Sequence, residues 1–149
     1  MPLTDGQIIL RLLLASRIGA VLGIERELRR KSAGFRTNIL IAAGSCIFAL
    51  ISLMLGSGDP TRVPGQIVTG IGFLGAGVII RNETGKRVHG LTTAACVWLT
   101  ACVGAACGIG AWRLIAVAAP AVFILLVLGG PFERFIHRHW PESTEPDTD

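Results

Sequence analysis

Apolar runs of 15 to 19 residues alternate with short polar connectors along most of the chain. They cover Ile8 to Ile24, Thr37 to Leu55, Gln66 to Ile80, Leu91 to Cys107 and Arg113 to Leu128. A helix that crosses a bilayer needs about 20 mostly apolar residues. The pattern predicts an all-α integral membrane protein with about five transmembrane helices. The third run is short and rich in glycine, so a distorted helix, or one crossing where the bilayer is thin, is expected there.

The connectors set an orientation. Arg26, Arg29, Arg30, Lys31 and Arg36 follow the first run, and Arg81, Lys86 and Arg87 follow the third. Together with Arg134 and Arg138 of the tail, ten of the 14 Lys and Arg fall on one side. Basic loops stay in the cytoplasm, which predicts an outer N-terminus and a cytoplasmic C-terminus. The N-terminus lacks a basic start and a small-residue cleavage site, and it carries Arg11 and Arg17, so no cleavable signal peptide is expected. Residues 1–130 read as the membrane domain and 131–149 as a cytoplasmic tail. In that tail Phe132, Phe135, Ile136 and Trp140, mixed with basic residues, predict a short interfacial helix. The final PESTEPDTD reads as disordered.

Composition sharpens this picture. Hydrophobic residues make up 51% and charged residues 16%, against about 25% charged in soluble domains. The net charge of +4 marks membrane orientation here rather than nucleic-acid binding. Cys46, Cys96, Cys102 and Cys107 all lie in apolar stretches without metal-type spacing and read as small packing residues.

A shift of 56 residues aligns GAVLGIERELRRKSAGFRT from Gly19 with GAGVIIRNETGKRVHGLTT from Gly75. Eight of the 31 positions from Gly19 to Ala49 are identical, among them Gly19/Gly75, Glu27/Glu83, Gly34/Gly90 and Thr37/Thr93. Helices 1–2 and 3–4 are therefore expected to form a parallel repeat about an axis along the membrane normal. Thr37 and Thr93 are the expected caps of the second and fourth helices. The N-termini of those helices suit a carboxylate.

Candidate chemistry is sparse. Glu25 is the acid nearest the membrane, and it needs a partner such as Arg26, Arg36 or a helix N-terminus. It is either one end of a salt bridge or a functional group: a cation or proton site, or a contact for a partner. Arg17 lies near the middle of the first run with no acidic residue at its depth. An arginine there costs on the order of 2.5–3.5 kcal/mol on insertion scales. A wet cavity, backbone carbonyls or a partner protein would answer that cost. Gly70, Gly72, Gly75 and Gly77 form GIGFLGAG, which reads either as tight packing on more than one side or as an unwound stretch facing a polar cavity. Ala15, Gly19 and Gly23 make a second small-residue stripe. Mg²⁺ takes oxygen ligands, mostly carboxylates, and only Glu25 is close. Asn38 and the hydroxyls of Thr69, Thr92 and Thr93 complete the polar candidates. No nucleophile–His–acid arrangement or metal cluster lies at membrane depth, so no enzyme is expected.

GIERE (Gly23 to Glu27), GFRTN (Gly34 to Asn38), QIVTGIGFLGAGVI (Gln66 to Ile79) and GLTTAACVW (Gly90 to Trp98) occur in that order. This series resembles the MgtC/SapB family of bacterial inner-membrane proteins, over about Ala15 to Leu128. The resemblance implies a multi-pass inner-membrane domain tied to magnesium limitation, acid stress and virulence. It singles out Glu25, Arg26, Gly34, Arg36, Thr37, Gly72, Gly75, Gly77, Gly90, Thr93 and Trp98. It also implies two functions: Mg²⁺ transport or homeostasis, for which the residue pattern offers Glu25 as the candidate metal-binding residue, or a non-transporting regulator that binds other membrane proteins such as the F-type ATP synthase. Many members continue into a soluble ACT-like domain that this sequence does not contain. Thr92 stands where the best-known member has an amide. The expected surroundings are the lipid bilayer, a membrane-protein partner and a homo-oligomer, with no cofactor beyond Mg²⁺ and no nucleic acid.

Overall fold

The computed structural model describes residues 3–56, 62–81 and 88–139. The helices are α1 (Asp5–Leu28), α2 (Phe35–Leu55), α3 (Arg62–Val78), α4 (Leu91–Ile109) and α5 (Trp112–His139). Each apolar run lies within one helix, apart from the last two residues of the third. Four helices are long and apolar enough to cross a membrane, with α5 qualifying over Trp112–Phe132. The apolar part of α3, Gly65–Val78, is shorter. The sequence did not foretell a two-stranded ladder between α3 and α4, β1 (Ile80–Arg81) with β2 (Val88–His89). It is antiparallel and pairs Ile80 with His89 and Arg81 with Val88. The acidic PESTEPDTD tail, Trp140, Glu83, Lys86 and Arg87 lie outside the described residues.

The core is built from α1, α2 and α4, and small residues bring their backbones together. A Cβ at Gly19 would lie 2.7 Å from the Asn38 carbonyl oxygen, and one at Gly23 would lie 2.7 Å from the Phe35 Cα. These contacts run α1 antiparallel to α2. Gly104 meets the backbone of Ala42, and a Cβ at Gly108 would lie 2.6 Å from the Cys46 oxygen. Those contacts run α2 parallel to α4. Arg11 reaches Gly108 and Arg26 reaches Thr93, so α1 also lies antiparallel to α4. Without hydrophobic pressure between helices in lipid, such close packing is what holds a membrane bundle. Ala15, Ala42, Cys46, Val103, Ala106 and Cys107 fill the centre. Cys46, Cys96 and Cys107 are buried and all four thiols are free, as packing residues would be.

The repeat is visible in equivalent contacts. Gly19 faces Asn38, and Gly75 faces the repeat-equivalent Ala94, whose Cβ would lie 3.8 Å from a Cβ added at the glycine. Gly23 abuts Gly34, just as Ile79 abuts Gly90. Yet Ala42 meets Gly104, and Cys46 meets Gly108, an offset of 62 rather than the 56 of the sequence repeat. A pure rotation about the normal would bring α2 and α4 level at 56. The second unit is therefore displaced along the bundle by six residues, about 9 Å of helix.

Both threonine caps are corrected. The N-caps of α2 and α4 are Gly34 and Gly90, neither with a side-chain cap bond. Thr37 and Thr93 sit one turn inside. Gly90 has φ +96° and packs on the Val78 carbonyl, which only glycine permits. The tail differs too. In place of a separate interfacial helix, α5 continues through Pro131 to His139. Pro131 has no N–H for the carbonyl of Val127. The Arg29 Nη2 donates to that carbonyl at 2.9 Å instead, and Gly130 gives the guanidinium room. A membrane helix tolerates proline when a neighbour satisfies the freed group in this way.

Candidate functional site

The polar side chains gather at one end of the bundle, where α1 ends and α2 and α4 begin. Glu25 and Arg26 are buried near the end of α1, 8% and 3% exposed. The Glu25 carboxylate is ion-paired with the Arg29 guanidinium, one turn on, and lies 4.0 Å from Arg26. Arg26 Nη2 donates to the Thr93 hydroxyl at 2.8 Å, crossing from α1 to α4. Arg29, through the Val127 carbonyl, adds α5. One carboxylate thus meets two guanidinium groups, and the cluster carries net positive charge. Neither Glu25 oxygen has a hydrogen-bond donor beyond this ion pairing, and Arg26 Nε has no acceptor.

Asn38 lies beside this cluster and is fully buried. Its amide donates to the carbonyls of Ala33 (2.9 Å) and Gly34 (2.8 Å). Its oxygen accepts from the Thr100 hydroxyl at 2.9 Å. The Cys96 thiol lies 4.0 Å from the same oxygen. All four bonding positions of the amide face protein, so the α1–α2 loop is tied to the middle of α4. Glu27 supplies the carboxylate expected at the α2 N-terminus, accepting from the Phe35 N–H at 3.0 Å. A carboxylate there also faces the positive end of the helix dipole.

The sequence candidates divide accordingly. Glu25, Arg26, Asn38 and Thr93 come together at the buried end. Arg36, Thr37 and Thr92 are exposed. Arg36 is not the partner of Glu25; it borders a shallow surface pocket with Ile24, Glu27, Leu28 and Phe35. The glycines of α3 also divide. The helix is continuous through them, so no unwound stretch faces a polar cavity. Gly75 packs on α4, while a side chain at Gly70, Gly72 or Gly77 would meet nothing within 4 Å. Gly70 opens on a groove of about 710 Å³ between α2 and α3, lined mainly by Leu40, Ile41, Phe48, Ile67, Ile71 and Leu74. That groove is apolar.

Three polar residues with partners in the fold, Arg29 and Thr100 at this end and Arg11 at the opposite one, are not evident from the sequence pattern. Arg29 reads there only as part of a basic loop, although its spacing of four from Glu25 is the signal of a helix ion pair. Thr100 gives no signal, because a lone hydroxyl in an apolar helix is common. Arg11 donates to the Gly108 carbonyl at 2.6 Å and stacks 5.8 Å over Trp112, which places a cation at the negative end of α4. Arg17, by contrast, is exposed on α1 and has no partner among the described residues. Those residues also contain no group of three His, Cys, Asp or Glu that could hold a metal.

Known proteins resemble the chain over most of its length. It is 49% identical to Protein MgtC of Salmonella typhimurium over 105 residues, 70% of this chain and 45% of that protein. Protein MgtC of Brucella abortus is 49% identical over 111 residues, 74% of the chain and 45% of the relative. The Synechocystis protein slr0014 is 41% identical over 138 residues, 92% of the chain and 58% of the relative. The chain thus spans about half the length of these relatives. No solved structure matches it. The model of the MgtC family matches residues 12–135, a stretch that contains the buried polar end and most of the α1–α2–α4 contact. The chain therefore belongs to the MgtC family, as a multi-pass membrane protein.

Proposed function

We propose that the protein is a non-enzymatic, non-transporting regulator in a bacterial inner membrane, acting through its helix faces in adaptation to low magnesium. Glu25 carries the reading. It is the one buried carboxylate among the described residues, and two arginines already neutralise it. A divalent ion entering there would meet net positive charge and would have to displace a guanidinium that also holds α5. Mg²⁺ sheds its water reluctantly and prefers carboxylate-rich sites, which this cluster is not. The F-type ATP synthase is the partner that the family resemblance suggests. The bias of basic residues toward the Glu25 end supports an outer N-terminus and a cytoplasmic C-terminus.

One observation favours the second reading, a Mg²⁺ pathway. Both Glu25 oxygens are buried without hydrogen-bond donors beyond the ion pairs, and an oligomer would repeat them around an axis. Reconstitution decides between the two. Purified protein in liposomes loaded with a Mg²⁺ dye is expected to give no flux above empty liposomes. Flux that Glu25→Gln abolishes would establish the pathway and remove the regulator.

A further inference from the structure

Arg17 stands apart from every other described charged side chain of α1. Arg11 holds the end of α4, Arg26 holds Thr93, Glu25 is ion-paired, and Glu27 caps α2. Asp5 lies in the first turn, outside the apolar run. Arg17 is exposed and has no partner among the described residues. It is twelve residues from Asp5 and eleven from Leu28, about 18 Å and 16 Å along the axis, so it falls at the midpoint of the span. Side chains on a helix lean toward its N-terminus, here the longer way out. Its face continues through Leu10, Leu13, Val21, Ile24 and Leu28, each 47% to 80% exposed. Their spacing of three and four is that of a seam made for another helix.

We propose that this face of α1 docks a transmembrane helix of a different protein, one that carries an Asp or Glu at mid-depth to pair with Arg17. Charge complementarity selects the occupant. A second copy of this chain does not supply it: α2, α3 and α4 contain no Asp or Glu, and the one acid of α5, Glu133, lies near its C-terminal end. Glu25, eight residues beyond Arg17, is turned inward and already paired. Two facing copies would set two arginines against each other in a medium of low dielectric. Lipid tails offer no acceptor, and a guanidinium at mid-depth is costly without one. This docking rests on the regulator reading and names its partner by chemistry.

The test uses the full chain, fluorescently labelled, in phosphatidylcholine vesicles. The probe is a synthetic leucine-rich helix of about 20 residues with a single central Asp and an acceptor dye. Energy transfer should show the Asp helix associating about tenfold more tightly than the same helix without Asp, the scale of interhelical polar pairing. Arg17→Gln should abolish that preference while leaving thermal stability unchanged, because Arg17 is exposed and has no partner among the described residues. Arg17→Glu should transfer the preference to a Lys-centred helix. Equal binding of both helices by the native chain, or an Arg17→Gln variant that still prefers Asp, would overturn the proposal. Loss of the preference on adding anionic phosphatidylglycerol, with Arg17 then held by phosphate, would overturn it too, as would self-association through Leu13→Cys crosslinks in place of peptide binding. Mg²⁺ flux in liposomes tests the regulator reading alone, so the two fail separately.

Discussion

Thr100→Val removes one hydroxyl from a buried site and nearly preserves shape, which makes it a clean probe of the Asn38 network. The substitution leaves the Asn38 oxygen with only the Cys96 thiol at 4.0 Å. An interhelical hydrogen bond in a membrane averages about 0.6 and reaches about 1.7 kcal/mol. Leaving a buried acceptor unpaired costs about 1–3 kcal/mol. A loss of about 1–2 kcal/mol is expected. Asn38→Leu goes further. It leaves the Ala33 carbonyl without the amide, whereas the Gly34 carbonyl keeps the Asn38 backbone N–H at 3.1 Å. The loop is also released from α4, so a loss of about 2–4 kcal/mol is expected. Once Asn38 is gone, Thr100 has no partner on α2. The double variant should then match Asn38→Leu within about 0.5 kcal/mol, the scale on which independent sites add. Reversible unfolding in mixed detergent–SDS micelles, followed by tryptophan fluorescence, measures all three. If the two losses simply sum in the double variant, or if Asn38→Leu is neutral, the network does not hold the bundle as described.

Three further outcomes follow from the close packing and from the Val127 carbonyl that Pro131 leaves free. Gly104→Ala, whose new methyl meets the Ala42 backbone, should cost about 1–3 kcal/mol or more. Gly72→Ala, with nothing within 4 Å, should be neutral or slightly stabilising in the same assay, and equal effects would discredit the close α2–α4 contact. Pro131→Ala restores the N–H that the Val127 carbonyl lacks, so Arg29→Met should cost clearly less in a Pro131→Ala background than in the native chain; equal costs in thermal unfolding would refute the carbonyl role of Arg29.

The hydrophobic pattern by itself determined the membrane character, the five helices and their order, because a lipid environment demands long runs of internally bonded apolar backbone. It also revealed the repeat and the small-residue stripe from Ala15 through Gly23, since close backbone approach needs glycine or alanine wherever it occurs. The partners were beyond its reach. Glu25 faced several arginines in one basic stretch, and only the helical turn after it, together with the Val127 carbonyl that Pro131 leaves free in α5, selected Arg29 over Arg36. Thr37 and Thr93 look like caps in one dimension, yet the chain enters both helices through glycine and leaves Thr93 for Arg26. The 9 Å slip between the units is likewise a tertiary outcome, set by where Gly104 and Gly108 let α4 settle on α2. Which charges a membrane helix turns inward is decided by the acceptors that its neighbours bring to each depth. On α1, Arg11 and Arg26 found theirs within the chain, and Arg17 was left facing out.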